Sequence, residues 1–453
     1  MAHTEILAVW AKMRKNKDSN LQHEVLYCFR YGVDRKERSM EKLELYIHIP
    51  FCVRKCRYCD FVSFANCEEQ FASYVDALCR EIESCREKYS DYVISSVYIG
   101  GGTPSILPAD QIQKITDSLF RNFNIVNTKE RHKGLFLQKK IRPTTEFSIE
   151  CNPGTVSKAD FFAYKKAGIN RISFGLQSAI DEELRTLGRI HTYEDFVRSF
   201  EDAREAGFDN INVDIMQAIP GQTMTSWQMT LGQVGTWHPE HISAYSLIIE
   251  DGTDFQKWLK KGKTISGEER DGIFLPDGSV KMLPSEEEER DIYYFTRDML
   301  EKSGYKRYEI SNFAVPGFAC SHNIGYWKRE NYLGLGLHAS SMVANVRWKN
   351  TDDLSAYIQD PENVHEEEQK LTVKEQMEEF MFLGLRLTQG ITRTDFVNTF
   401  HRDIDLVYGP VLDDLYDQGM IEFAEDAIRL TQKGIDVSNQ VLAEFLIDSK
   451  QES

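Results

Sequence analysis

The stretch Tyr46-Ile-His-Ile-Pro-Phe-Cys52-Val-Arg-Lys-Cys56-Arg-Tyr-Cys59-Asp-Phe61 carries three cysteines on one short loop. Three residues separate the first pair and two separate the second, so all three sulfurs can converge on one side of the loop. An iron–sulfur cubane is usually held by four thiolates. Three thiolates would leave one iron with an open coordination site, and an open site is typical of a metal that does chemistry. The spacing therefore predicts an iron–sulfur cluster at Cys52, Cys56 and Cys59.

Zinc and disulfide bonds are the alternative uses of these cysteines. A structural zinc site usually combines two separated pairs of Cys or His ligands, and no convincing second pair follows in this chain. Disulfide bonds are less favoured because nine cysteines is an odd number and no secretory leader is recognisable. This cysteine usage indicates a reducing compartment, and we expect the protein in the cytoplasm.

The composition excludes some classes of partner. The chain has 453 residues, 41% of them hydrophobic, which is ample for one large α/β domain with a smaller companion. The formal net charge of -17 argues against binding to nucleic acid, because no basic stripe offsets it. No run of about 18 apolar residues predicts a membrane span, whereas loose contact with a membrane surface stays open.

Strand-like and helix-like segments alternate after Met40. The first strand, Leu43 to Ile49, leads directly into the cysteine loop, and segments such as 71–85 and 193–206 have the periodicity of amphipathic helices. Further strands are predicted at 96–99, 147–149, 171–174, 211–215 and 241–247. This order predicts an α/β fold of parallel strands and crossover helices, closed fully or partly into a barrel. Functional residues then gather at the carboxyl ends of the strands.

Several chemically distinctive residues occur at those strand ends. Gly100-Gly-Gly-Thr-Pro-Ser105 lets backbone amides approach a ligand, although a tight turn alone would also explain it. It lacks the Lys-Ser/Thr ending of a nucleotide-binding P-loop. Glu150, Gln177 and Asp214 end three other strands. Their side chains could bind ribose hydroxyls or an ammonium group, or form polar contacts inside the barrel.

Ordered motifs from about Leu43 to the C-terminus resemble one family, the radical SAM enzymes of the oxygen-independent coproporphyrinogen III oxidase group. The resemblance is strongest to its HemW branch of haem chaperones. It rests on Tyr-Ile-His-Ile-Pro-Phe-Cys, Gly-Gly-Gly-Thr-Pro-Ser, Glu-Cys-Asn-Pro-Gly, Phe-Gly-Leu-Gln-Ser, Ile-Pro-Gly-Gln-Thr, Tyr-Glu-Ile-Ser-Asn-Phe and His-Asn-x-x-Tyr-Trp. It implies a partial (β/α)6 radical SAM barrel.

The resemblance also implies cofactors and the residues that bind them. Cys52, Cys56 and Cys59 would hold a [4Fe-4S] cluster whose open iron chelates S-adenosylmethionine, and reactive members cleave that cofactor to a 5'-deoxyadenosyl radical with one electron. An electron donor is therefore an expected partner. The residues implied for the cofactor pocket are Tyr46, Tyr58, Gly101, Gly102, Thr103, Glu150, Gln177, Arg189 and Asp214. No catalytic residue is identified, and whether the chain is an enzyme stays open.

Residue 61 favours one branch of the family. The oxidases resembled here carry a fourth cysteine two positions after the third, whereas this chain has Cys59-Asp-Phe61. The resemblance therefore implies a chaperone that binds haem or a porphyrin and passes haem to apoproteins. The alternatives are a decarboxylating coproporphyrinogen III oxidase and another radical SAM methyltransferase or porphyrin enzyme.

A second motif, Cys320-Ser-His322-Asn-Ile-Gly-Tyr326-Trp327, suggests a haem ligand. His and Cys both ligate haem iron, and aromatic rings pack on porphyrins. The motif is associated with haem in the HemW branch, so His322 is the candidate ligand. Hydrogen bonding of His322 within the protein is the equally weighted alternative.

Three regions are predicted along the chain. Residues 1–39 are an N-terminal extension that either precedes the native start or forms a lid, residues 40–345 form the barrel, and residues 366–453 form a mostly helical, winged-helix-like domain. The charged stretches 260–290 and 129–142 are expected to be solvated surface insertions. The chain also departs from the family where Met216-Gln-Ala218-Ile-Pro follows Asp214, because the family more often has glycine before the Ile/Leu-Pro.

Overall fold

The computed structural model of the chain describes residues 41–126, 145–264 and 266–447. The predicted extension 1–39, the whole basic insertion 129–142 and the end of the C-terminal region therefore lie outside the described residues. No helix among the described residues is long and apolar enough to cross a bilayer.

The secondary structure alternates as predicted through the first half of the chain. The strands are β1 (Glu41–Ile49), β2 (Phe51–Cys52), β3 (Phe64–Ala65), β4 (Tyr92–Gly101), β5 (Glu146–Cys151), β6 (Arg171–Gln177), β7 (Ile211–Gln217), β8 (His241–Ser246), β9 (Leu259–Lys263), β10 (Glu269–Phe274), β11 (Val280–Met282), β12 (Lys306–Arg307), β13 (Asn312–Ala314), β14 (Tyr332–Leu335), β15 (Ser340–Val343), β16 (Val346–Asn350), β17 (His365–Lys370), β18 (Ile391–Thr392), β19 (Ile421–Ala424) and β20 (Ala427–Leu430). The helices are α1 (Phe71–Ser84), α2 (Ala109–Asn122), α3 (Lys158–Ala167), α4 (Asp181–Leu187), α5 (Tyr193–Glu205), α6 (Met224–Thr236), α7 (Asp254–Trp258), α8 (Glu286–Lys302), α9 (Ser321–Trp327), α10 (Leu354–Gln359), α11 (Val373–Gly384), α12 (Arg393–Phe400), α13 (Ile404–Asp417), α14 (Gln432–Asp436) and α15 (Ser438–Ala443).

Six parallel strands form the centre of one large mixed sheet. Their order is β1-β4-β5-β6-β7-β8, and each pair of neighbours is hydrogen-bonded in parallel. β14 continues the sheet parallel to β1, whereas β13 adds antiparallel to β8. Among the described residues the sheet stays open, with β12 and β17 at its edges. The predicted α/β class with a partial six-stranded barrel is confirmed.

The two faces of the central strands differ in polarity. On β1, Leu43, Leu45, Ile47 and Ile49 are fully buried on the face that packs against the helices. Because side chains alternate between faces in a strand, the intervening residues all point to the opposite face. Along the six strands that opposite face carries Glu44, Tyr46, His48, Ser96, Tyr98, Ser148, Glu150, Arg171, Ser173, Asn212, Asp214, His241, Ser243 and Tyr245. A polar inner face therefore leads to the carboxyl ends of the strands.

The C-terminal region is built around a second apolar core, which also includes Trp327 of α9 and Tyr332 of β14. Met381, Phe396, Ile404, Ile428 and Phe445 are fully buried in one cluster that joins helices α11 to α13 to the small sheet β18-β20-β19. The mostly helical character predicted for this region is confirmed, and the predicted domain boundaries stay predictions.

The stretch 260–290 lies largely at the surface, as expected, but the expectation that it forms loops is wrong. This stretch forms an antiparallel sheet, β9-β10-β11, followed by the start of α8. Ile273 is fully buried and packs with Leu187 and Phe255. Charged residues dominate the stretch, and of its described residues only Gly272, Ile273 and Leu275 are buried, which suffices because a strand needs only one buried face.

Candidate functional site

A cavity of about 210 Å³ opens at the carboxyl ends of the central strands. It brings together most of the residues that the sequence predicted for the cluster and the cofactor. Those on its wall are Cys52, Cys56, Tyr58, Cys59, Gly101, Gly102, Thr103, Glu150, Gln177, Arg189 and Asp214. Tyr46 and His322 are not on the wall.

The cysteine loop is fixed by backbone hydrogen bonds to two neighbouring elements. The Arg57 amide donates to the Leu187 carbonyl at the end of α4 (3.0 Å), and the Arg57 carbonyl accepts from the Phe255 amide of α7 (3.0 Å). Within the loop, the Cys59 amide donates to the Cys56 carbonyl (3.2 Å). These contacts hold the three cysteines on the cavity side.

Two of the three sulfurs accept hydrogen bonds from cavity residues. The Thr103 hydroxyl lies 3.5 Å from Cys52 Sγ, and Arg189 Nη1 lies 3.5 Å from Cys56 Sγ. Burial raises the pKa of the Cys59 thiol to about 12. Thiolates are the form that binds iron, so positive charge and hydrogen-bond donors are needed here. Three cysteines on the wall of one cavity, two of them with such donors, have the chemistry that an iron–sulfur cluster requires.

The glycine run lies directly against the cysteine loop. The Gly102 amide donates to the Ile49 carbonyl (2.9 Å) and the Thr103 amide donates to the Phe51 carbonyl (2.7 Å). A Cβ on Gly102 would come within 2.6 Å of the Phe51 carbonyl oxygen and 3.0 Å of Cys52 Sγ. Only glycine allows this approach.

Two buried carboxylates form the polar floor of the cavity. Glu150 accepts from the Tyr98 hydroxyl (2.9 Å) and from the Gly101 amide (3.2 Å). Asp214 accepts from Asn212 Nδ2 (2.8 Å). Burial raises the pKa of both carboxyl groups. A buried carboxylate gains from a donor on a ligand, such as an ammonium group or a ribose hydroxyl.

Gln177 is oriented by a local irregularity of the sheet. Its φ of +71° coincides with a shift of register between β6 and β7. The Tyr245 hydroxyl donates to Gln177 Oε1 (2.8 Å). This bulge directs an amide side chain into the cavity, where a regular strand would place it differently.

His322 lies below the cavity and is almost fully buried. Its Nδ1 lies 2.8 Å from the Ser96 hydroxyl and its Nε2 lies 3.2 Å from the Tyr326 hydroxyl. Its ring stacks on that of Tyr98 (centroids 5.2 Å apart, planes at 16°), the residue that donates to Glu150. Tyr46 also lies below the wall, with its hydroxyl 3.0 Å from His48 Nδ1.

Comparison with known proteins identifies the family. A model of the Radical SAM superfamily matches residues 46–234, and a model of the HemN C-terminal domain matches residues 371–437. The Heme chaperone HemW of Bacillus subtilis is 34% identical over 404 residues, which cover 88% of this chain and 98% of that protein. This chain belongs to the HemW family. The Heme chaperone HemW of Escherichia coli is 30% identical over 90% of this chain and 100% of its own length.

A solved structure supports the fold of this HemW family member. The structure described as "Coproporphyrinogen III oxidase (HemN) from Escherichia coli is a Radical SAM enzyme" matches with a TM-score of 0.71. The match covers 90% of this chain and 91% of that chain at 22% identity, which shows the fold alone. Membership of the radical SAM superfamily implies a [4Fe-4S] cluster and S-adenosylmethionine as cofactors.

The structure adds cavity residues that the sequence did not single out in this HemW family member. Asn152 lies on the wall between Thr103 and Arg189, with Nδ2 2.9 Å from Thr103 Oγ1 and Oδ1 2.6 Å from Arg189 Nη2. Tyr245 and Met216 also line the wall. Asn152 belongs to the Glu-Cys-Asn-Pro-Gly motif, but that motif does not reveal its contacts, because Thr103 and Arg189 are distant in sequence.

Proposed function

We propose that this protein is a haem chaperone that binds haem and delivers it to haem-dependent apoproteins. In this proposal Cys52, Cys56 and Cys59 hold a [4Fe-4S] cluster, and the cavity beside them binds S-adenosylmethionine. The observation that carries the proposal is that these three cysteines share one wall with the glycine run and two buried carboxylates. The HemW relatives support the haem function.

The cavity residues would have different roles toward the cluster and S-adenosylmethionine. A [4Fe-4S] cluster with an open iron would supply chelation of the cofactor's amino and carboxylate groups, and one electron. Gly101, Gly102 and Thr103 would present backbone and hydroxyl groups to the methionyl end. Glu150, Gln177 and Asp214 would accept from, or donate to, polar groups of the cofactor. Arg189 would supply positive charge beside the cluster, and Tyr58 would cover it.

Phe61 supports the chaperone over the oxidase. Phe61 lies on the cavity wall, at the position where the oxidases resembled by the sequence carry a further cysteine. An apolar ring there favours packing against a flat apolar ligand. Coproporphyrinogen III oxidation and radical methyl transfer remain the alternatives that experiment must exclude.

The haem ligand is a separate question from the cofactor site. The family motif proposes His322, but either ring nitrogen would have to give up a hydrogen bond to reach iron. We expect His322→Ala to keep the haem stoichiometry and Soret absorption of the wild type, with His241→Ala, a fully buried histidine outside this motif, as the control. A folded His322→Ala protein without a Soret band would identify His322 as the ligand instead.

Two assays of the reconstituted protein test the proposed function. We expect anaerobically reconstituted protein to bind haem and to transfer it to apomyoglobin, measured by absorption. With S-adenosylmethionine, dithionite and coproporphyrinogen III, we expect no protoporphyrinogen IX. Failure to bind haem, or multiple turnovers of the porphyrinogen, would contradict the chaperone proposal. Cys52→Ser should lose cluster iron, whereas Cys67→Ser, outside the cavity wall, should keep it.

The proposal implies two protein partners and a location. The cluster requires an electron donor, and haem delivery requires an acceptor apoprotein. No disulfide bond joins the described cysteines, which agrees with the proposed cytoplasmic location. Contact with a membrane surface, where some acceptors would lie, stays compatible with this proposal.

A further inference from the structure

A chain of hydrogen bonds connects two of the three cysteine sulfurs through side chains of the cavity wall. It runs from Cys56 Sγ to Arg189, from Arg189 to Asn152, from Asn152 to Thr103 and from Thr103 to Cys52 Sγ. Its inner bonds are 2.6 Å and 2.9 Å long, and both sulfur contacts are 3.5 Å. The three linking side chains, Thr103, Asn152 and Arg189, follow β4, β5 and α4, respectively.

The donors and acceptors in this chain have only one consistent direction. A guanidinium can only donate, so Asn152 must present its oxygen to Arg189 and its amide nitrogen to Thr103. The Thr103 oxygen then accepts from Asn152, which leaves the Thr103 proton for Cys52 Sγ. Arg189 therefore fixes the direction of a hydroxyl group that it does not touch.

The backbone of Asn152 is held by two side-chain hydroxyl groups. The Asn152 backbone N–H donates to the Ser105 hydroxyl (3.1 Å), and the Asn152 backbone carbonyl accepts from the Thr155 hydroxyl (2.7 Å). The Arg189 guanidinium is fixed in turn by the Gly175 carbonyl, 2.6 Å from Nη2. Both hydrogen bonds to sulfur are therefore preorganised before any ligand binds.

We infer that Asn152 is a positioning residue which, through Thr103 and Arg189, raises the reduction potential of the cluster held by Cys52 and Cys56. Reduction adds one negative charge, and hydrogen bonds to the thiolate sulfurs stabilise the more negative state. The inference rests on the proposed cluster site and adds the residues that adjust its potential. The inference assigns a role to Asn152, a residue that is not among the proposed contacts of S-adenosylmethionine.

The test is an EPR-monitored redox titration of reconstituted variants. We expect Thr103→Val and Asn152→Ala to lower the potential, with the equilibrium constant for one-electron reduction falling about threefold to tenfold; tenfold is about 59 mV. Thr103→Ser keeps the hydroxyl and should stay near the wild-type potential. Thr116→Val removes a buried hydroxyl outside the cavity wall and should leave the potential unchanged.

Iron and sulfide content, measured in the same samples, separates this inference from the proposed function. Wild-type protein that cannot hold a cluster would overturn both. Intact clusters with unchanged potentials in Thr103→Val and Asn152→Ala would overturn the inference alone. Loss of the cluster from both variants, with the thermal unfolding temperature retained, would also overturn it, because the two residues would then act in cluster assembly.

Discussion

At the scale of single residues, Gly102 shows how closely the glycine run and the cysteine loop fit together. Gly102→Ala would place a Cβ 2.6 Å from the Phe51 carbonyl oxygen, so the backbone before Cys52 must move. We expect fewer iron atoms per chain after reconstitution, measured by iron and sulfide analysis. Gly232→Ala is the matched control, because its Cβ meets no atom within 4 Å. That helical replacement should keep full iron content and add up to about 1 kcal/mol of stability.

Buried histidines give the protein a dependence on pH. Burial, helped by the nearby Arg189 charge, lowers the pKa of His191 to about 3, and His191 Nε2 lies 3.2 Å from the Leu176 carbonyl oxygen. The folded pKa is below the unfolded value of about 6.5, so the unfolded state takes up the proton first. The contribution of His191 to the free energy of unfolding is therefore fully present above about pH 6.5. It decreases as the pH falls below that value, by up to about 1.4 kcal/mol per pH unit.

Thermal unfolding as a function of pH tests this histidine. We expect the unfolding temperature of the wild type to fall between pH 6.5 and pH 4, and the fall to be shallower in His191→Gln, which keeps a donor for the Leu176 carbonyl. His401→Asn, at an exposed helix end, serves as the control and should follow the wild type. Equal slopes in all three proteins would contradict the assignment.

At the scale of elements, the β9-β10-β11 sheet supports the cysteine loop from outside the barrel. Ile273 of β10 is fully buried and packs with Phe255, whose amide donates to the Arg57 carbonyl. The Arg57 guanidinium also lies over the Trp258 ring, 5.5 Å from its centroid. The stretch 260–290 therefore influences the cluster site although it contributes no ligand.

Truncation of Ile273 tests this support. Ile273→Ala should lower the free energy of unfolding by about 2–5 kcal/mol. It should also speed the release of iron to a chelator, because the loop loses its outer packing. Val280→Ala, on the exposed side of β11, should change neither quantity appreciably. Unchanged iron release from a destabilised Ile273→Ala protein would show that the sheet packs on the loop without restraining it.

The elements that the sequence predicted best are those with local signals. The strand predicted at Leu43 to Ile49 is β1, and the helix predicted at 193–206 is α5, which begins at a Thr192 capping box. By contrast, the polar inner face was not predicted, because Glu44, Ser96 and His322 become partners only after the strands pair.

Ala218 is a position where the sequence departs from the family and the structure gives the reason for the family's preference. Its φ of +58° explains why the family more often has glycine there.

Sequence motifs located the candidate site more fully than they located its contacts. Cys52, Glu150 and Asp214 reach one cavity because parallel strands end at the same edge. Which sulfur faces Thr103 and which faces Arg189 depends on side-chain directions across four segments, and no periodicity encodes that. The burial of His322 has the same origin, since α9 packs over the inner face of β4 only in the folded chain.

At the scale of the whole molecule, two apolar cores are joined by a buried ion-pair network. Glu379 of α11 lies 2.8 Å from Arg329 Nε and 2.9 Å from Arg347 Nη1. Arg329 follows α9 and Arg347 belongs to β16, so the network links the C-terminal helices to the large sheet. Arg386 also lies over the Trp327 ring, 4.5 Å from its centroid. The two cores are therefore connected through charge as well as apolar packing.

Removing the carboxylate charge of Glu379 tests whether this network couples the two cores. In Glu379→Gln two buried guanidinium groups lose their counter-charge, and breaking a buried pair costs about 3–5 kcal/mol. We expect calorimetry to show a lower first unfolding transition, assigned to the C-terminal region, separated from that of the sheet. Glu194→Gln removes an exposed pair with Arg198 and should cost at most about 1 kcal/mol. A single transition in Glu379→Gln, shifted no further than in Glu194→Gln, would show that apolar contacts alone couple the cores.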